Sequence, residues 1–185
     1  MKLVPRMPLL CLRVAVLELT AGALLISVVG LSASIAAADD KPHEAVLILQ
    51  GTTGEPIRLT GGDLKKLPRT EVEAVDHGGN KARYSGVPLR VLLDKVGVPQ
   101  GDKVRGKWIG SFVAVDALDD YRAVFGLAEL DPAFNDRTII LADLRNGEPL
   151  DKKHGPFQVI APGDKRQARW VWGVREIRVI DSRAK

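Results

Sequence analysis

The chain has 185 residues, 27 basic against 23 acidic, and 45% of it is hydrophobic, which allows one average domain with a real core and leaves little room for a second. Three of the basic residues and Glu18 fall within the first 38 positions, so the other 147 carry 24 basic and 22 acidic side chains. That near balance, without a long basic run, excludes nucleic acid as a leading partner.

Taken in chain order, Lys2, Arg6 and Arg13 precede an apolar stretch over 14–35, which closes on Ala36-Ala37-Ala38 ahead of Asp39-Asp40. Basic residues, an apolar run and small residues before a polar start are the order of a cleavable signal peptide. The expected division is a signal over 1–38 and one domain over 39–185, placed in the periplasm or secreted. The apolar run is long enough to span a bilayer, so a retained anchor is the other reading. Small residues directly before two acidic ones favour cleavage, after which no membrane span is expected. No Arg-Arg pair precedes the run, which points to export as an unfolded chain rather than through the twin-arginine route. Cys11, the single cysteine, would leave with the signal. The remaining domain then has no disulfide, thiol nucleophile, cysteine zinc site or iron-sulfur cluster.

After position 38 most segments are short, β-patterned and separated by Gly, Pro, Asn and Asp. Residues 45–49 predict a buried strand and 57–59 a second one. Thr60 with Asp63 has capping-box spacing and predicts a brief helix to Lys66, stopped by Pro68. Val72 and Ala74 alternate with Glu71 and Glu73, and Gly78-Gly79-Asn80 turns the chain into a hairpin partner around 82–84. The clearest helix opens at Pro88, carries Leu89, Leu92, Leu93 and Val96 on one face, and ends at Gly97 and Pro99. Strands follow over 112–115 and 121–125, joined through Leu118-Asp119-Asp120, with a helical turn over 127–130. Further strands are expected over 138–142, 157–160 and 174–180, with a turn at Asn146-Gly147 and with Ile177 and Val179 facing one way. The sum is a β-rich α+β domain with one good helix.

Three stretches, in this order, carry a resemblance. The first is Tyr84-Ser85-Gly86-Val87-Pro88-Leu89 running into Val91-Leu92-Leu93. The second is Ala117-Leu118-Asp119-Asp120-Tyr121-Arg122. The third is Gly155-Pro156-Phe157-Gln158-Val159-Ile160-Ala161-Pro162-Gly163, followed by Arg169-Trp170-Val171 and Ile177-Arg178-Val179. Together they resemble the molybdopterin-binding domain of the sulfite oxidase family across nearly the whole of 39–185. The resemblance implies that family's fold, with mixed sheets and a few short helices, and a molybdopterin cofactor. Asp120 stands where the family has glycine.

In catalytic members a cysteine thiolate ligates molybdenum, between the strand resembling 72–75 and the Gly-Val-Pro-Leu helix. Here that region reads Asp76-His77-Gly78-Gly79-Asn80, and neither imidazole nor carboxylate replaces a soft thiolate like for like. No catalytic residue is expected, and no metal site. His43, His77 and His154 are the only histidines, and no pair has spacing that forces them onto one face. The resemblance places the loop at Gly163, Arg166 and Arg169 near the pterin phosphate and His77 in the region of the family's metal ligand. Asp119, Asp120, Tyr121 and Arg122 form a candidate polar cluster for the same cofactor site, with Arg122 and Arg145 as extra anion donors; a plain β-turn explains the two aspartates as well. Guanidinium groups suit bidentate anion recognition; a solvated basic loop is the plain alternative. The function expected is that of an exported module for a small anionic ligand or a periplasmic or membrane redox partner. A molybdopterin-dependent oxidoreductase that holds its cofactor without a cysteine is the alternative.

Overall fold

A computed structural model describes residues 45–182, and its elements follow from local signals before they follow from pairing. The apolar run after Ala45 forms β1 (Val46–Gln50), with Leu47 and Leu49 buried, and β2 (Ile57–Thr60) returns antiparallel to it. Thr60 caps α1 (Gly61–Lys65) through a full capping box: Asp63 N–H donates to Thr60 Oγ1 at 3.2 Å, and Thr60 N–H donates to the Asp63 carboxylate at 3.1 Å. Thr60→Ala is expected to lower stability by about 1 kcal/mol, read as a shift of the urea midpoint with unchanged slope. No shift would mean that packing of Leu64 alone holds this turn.

The expected hairpin forms from β3 (Thr70–Val75) and β4 (Lys81–Pro88). The strand β4 runs as far as Pro88, so this proline stands at the cap of α2 (Leu89–Lys95) rather than in its first turn. Helix α2 buries Leu89, Leu92 and Leu93, while Val96 lies just past its end and packs partly buried against the core. Two short 3-10 turns, Gly101–Lys103 and Gly106–Gly110, lead to β5 (Phe112–Ala117), which pairs with β6 (Arg122–Gly126). Asp120 sits between those strands at φ +65°, the left-handed region that glycine adopts most readily.

After a 3-10 turn over Ala128–Leu130 come β7 (Ile140–Arg145), the two-residue β8 (Glu148–Pro149), β9 (Gln158–Ile160) and β10 (Val174–Ile180). The strand expected over 138–142 is displaced toward the C-terminus, because pairing with β4 and β8 extends the ladder to Arg145. One sheet has the order β2-β1-β10-β5-β6, with β1 and β10 parallel; the other runs β3-β4-β7-β8, with β9 also on β7. Phe125, Ile140, Ile160, Ile177 and the α2 leucines lie in the apolar core. Among the described residues no helix is long and apolar enough to cross a membrane. His43 and the expected signal segment lie outside the described residues.

Candidate functional site

The β3–β4 turn is built by Asp76. Its Oδ1 accepts N–H groups from Gly78 at 2.8 Å and Asn80 at 2.9 Å, and its Oδ2 accepts Arg145 Nη2 at 2.5 Å. These bonds, the Asn80 N–H foremost, hold the carboxyl below its ordinary pKa of 3.8. The turn therefore stays charged and closed at neutral pH, with His77 at its corner.

A second Asp-built turn faces it. Asp151 Oδ1 accepts the backbone N–H groups of Lys153 and His154, each at 2.9 Å, and lies 2.7 Å from His154 Nδ1. The His154 N–H is the first of the bonds that hold this carboxyl below its ordinary value. Engaging Nδ1 leaves Nε2 as the ring nitrogen available to a ligand.

The two turns meet on Trp172, which precedes β10. The His77 and His154 rings approach its indole edge-to-face, with centroids 5.5 and 4.5 Å away, and Lys153 Nζ stands 4.8 Å from its ring centre. Trp170, two residues earlier, donates Nε1–H to Ala161 O at 3.0 Å and meets Tyr84 edge-to-face. Burial raises the Tyr84 pKa above its ordinary value.

Two cavities share His77, Trp170 and Trp172 in their walls. One, of about 200 Å³, is lined also by Asp76, Gly78, Tyr84, Arg145, Lys153, His154 and Gln158. Gln158 is only 3% exposed. Trp172 Nε1 and Arg145 Nε are buried and have no hydrogen-bond partner. Buried polar groups are almost always satisfied, so these donors point to an acceptor-rich guest or to water. The other cavity, of about 250 Å³, adds Asp119, Tyr121, Gln167 and Ala168. Tyr121 Oη donates to Ala168 O at 2.5 Å, and Gln167 Nε2 donates to Val75 O at 2.9 Å, so both tie the loop before Trp170 across the cleft.

Of the expected site residues, His77 and Tyr121 line these cavities, as does Arg145, and Gly163, Arg166, Arg169 and Arg122 do not. Arg169 sends Nε and Nη2 to Asp164 at 2.9 and 2.8 Å and Nη1 to Glu129 at 2.9 Å. Its guanidinium thus ties the loop to the body of the domain, and the Asp164 bonds lead in raising its pKa. Arg166 is exposed, and Gly163 at φ +88° turns the chain against Arg137. Arg122 pairs with Asp116. Sequence reasoning missed Gln158, Lys153 and Trp172 as site residues. The Asp151-x-x-His154 spacing is the one local signal that could have drawn attention to that wall. Among the described residues no group of three or more His, Cys, Asp or Glu side chains converges as a metal site.

A family model described as the oxidoreductase molybdopterin binding domain matches residues 34–185. The chain is 33% identical over 103 residues to inducible nitrate reductase [NADH] 1 of Glycine max, a match covering 51% of this chain and 11% of that protein. It is 34% identical over 100 residues to a nitrate reductase [NADPH] of Phytophthora infestans, covering 51% and 10%. It thus aligns with about a tenth of the length of either relative. Among solved structures, the sulfane dehydrogenase SoxCD of Paracoccus pantotrophus superposes with a TM-score of 0.59 at 25% identity, covering 75% of this chain and 38% of that one.

Proposed function

The chain belongs to the oxidoreductase molybdopterin-binding domain family, and from that premise we propose that it is an exported binding module that holds a small anionic ligand between His77, Lys153 and Trp172, without redox chemistry of its own. The observation that carries the reading is the pair of buried donors without partners, Trp172 Nε1 and Arg145 Nε, gathered in one cavity with Lys153 and the buried Gln158. An anion supplies several acceptors at once and gains from the nearby cations.

The residues present fit one part of the family's cofactor and not the other. Aromatic walls, donors and cations suit a pterin ring and its phosphate. The metal is a poorer fit: the only cysteine in the chain is Cys11, so the described residues offer no thiolate. If a pterin is held here, Trp172 and Trp170 would bound its plane, and Lys153 and Arg145 would face its charge. Such a pterin would itself supply planar stacking surface and hydrogen-bonding edges; these residues only bind and orient it.

The test is titration of the purified protein with inorganic phosphate and with an oxidised pterin, followed by indole fluorescence. Lys153→Met keeps the aliphatic stem and should weaken either anion about tenfold, with stability changed by less than about 0.5 kcal/mol. Stoichiometric molybdenum in protein taken from its own export pathway, where the mature chain should begin near Asp39, would overturn the reading. One observation favours a second reading, a molybdopterin-dependent oxidoreductase without a cysteine ligand: His77 occupies the turn where the resemblance places the ligand. Pterin fluorescence after acid oxidation of such a preparation, together with the metal, would select it.

A further inference from the structure

The larger cavity differs in chemistry from its neighbour. Its walls include four aromatic rings, His77, Tyr121, Trp170 and Trp172, and one carboxylate, Asp119, and no lysine or arginine lines it. Other carboxylates around the cleft have charged partners: Asp76 has Arg145, Asp164 has Arg169, and Asp116 has Arg122 and Arg178. Asp119 accepts a backbone N–H from Tyr121 at 3.1 Å and forms no ion pair among the described residues. A carboxylate without a cation, in a cavity walled by aromatic rings, is a combination that suits a positively charged guest.

The indole already shows this attraction. Lys153 Nζ lies over Trp172, yet Lys153 does not line the larger cavity. A primary ammonium loses strong hydration on entering such a place, whereas an ammonium covered in methyl groups has little to lose and buries apolar surface as well. A neutral planar guest would fill the space and leave Asp119 without its countercharge.

We propose that this cavity binds a methylated ammonium group, with Trp172 and Tyr121 as its aromatic walls and Asp119 as its counterion. The shared wall of His77, Trp170 and Trp172 puts the anion cavity next door. A ligand with a carboxylate a few bonds from its ammonium would reach both. That extension rests on the anion reading above; the ammonium site itself does not.

Titration of the full chain with tetramethylammonium chloride, followed by indole fluorescence against a sodium chloride control, tests the site. Neopentyl alcohol, similar in shape and uncharged, should bind at least about tenfold more weakly. Asp119→Asn keeps an acceptor for the Tyr121 N–H and should weaken tetramethylammonium about tenfold at an unchanged melting temperature. Tyr121→Leu should also weaken it. Equal binding of neopentyl alcohol, or unchanged affinity in a folded Asp119→Asn protein, overturns the site. Glycine betaine should bind more tightly than tetramethylammonium, and Lys153→Met should remove only that difference. Tetramethylammonium binding with no response to phosphate or acetate would sink the anion reading and leave the ammonium site standing.

Discussion

Gly86→Ala is expected to destabilise the domain by about 3 kcal/mol or more, because the new methyl group would meet backbone that cannot retreat. Gly86 lies on β4 at the irregularity that shifts the β4–β7 register between Ser85 and Gly86. A Cβ placed there would stand 2.1 Å from Leu141 O and 2.6 Å from Ala142 Cα. Both atoms belong to β7, which is held on its other side by β9 and is buried at Ile140, Leu141 and Ala142. Relief requires parting two central strands, and Tyr84, two residues upstream, would carry the disturbance into the floor of the cleft under Trp170. Thermal unfolding should show a fall of about 10 °C or loss of the cooperative transition. Gly126→Ala is the control: its Cβ would approach nothing closer than Glu129 Oε1 at 3.9 Å. Equal melting temperatures for the two variants would show that β4 and β7 can separate at little cost. The glycine of the Gly-Val-Pro-Leu stretch is thus a packing requirement between strands.

Asp116→Asn is the second large effect, with an expected loss of about 2–3 kcal/mol at neutral pH. The Asp116 side chain is only 4% exposed and lies on β5 between two neighbours. Arg122 Nε reaches it from β6 at 2.5 Å, and Arg178 Nη2 and Nε reach it from β10 at 2.7 and 3.2 Å. Breaking a buried pair leaves charge without a partner, but Arg122 is 55% exposed and Arg178 32%, and Arg178 keeps Glu176 at 3.5 Å, so both cations retain access to water. That access sets the expected loss below the upper end of the range for buried pairs.

The same group gives the pH dependence its sign. Burial by itself would raise the Asp116 pKa, and the hydrogen bonds from Arg122 and Arg178 outweigh it, so the folded value lies below the ordinary 3.8. A carboxyl depressed in the folded state contributes stability that is present above its unfolded pKa, near 3.9, and lost as pH falls through the folded value. Wild-type stability should therefore fall as pH drops below about 4, and Asp116→Asn should flatten that acid limb. Urea midpoints measured between neutral and strongly acid pH decide it. Parallel limbs in both proteins would assign the acid sensitivity to other carboxylates, such as Asp76 and Asp151.

By itself the sequence determined the features that depend on a few neighbouring residues. Thr60 and Asp63 close a capping box from within one turn of chain. Asn146 and Gly147 take φ +52° and +86°, which their residue types tolerate and most others resist. The 174–180 strand, the β3–β4 hairpin and the three motif stretches were legible for the same reason, since backbone preference and alternation act at short range. They also sufficed for the family and its fold.

Only the tertiary structure decided which distant groups meet. Nothing local pairs β1 with β10 in parallel across most of the domain, because that contact is rewarded only after the strands between have folded. Arg169 is as cationic on paper as Lys153, yet Asp164 and Glu129 occupy its guanidinium while Lys153 lies over Trp172. His77 and His154 are 77 positions apart and share one indole because two Asp-built turns happen to face each other. A sequence states which charges and rings exist. Their energies depend on partners and burial that only the packed chain assigns.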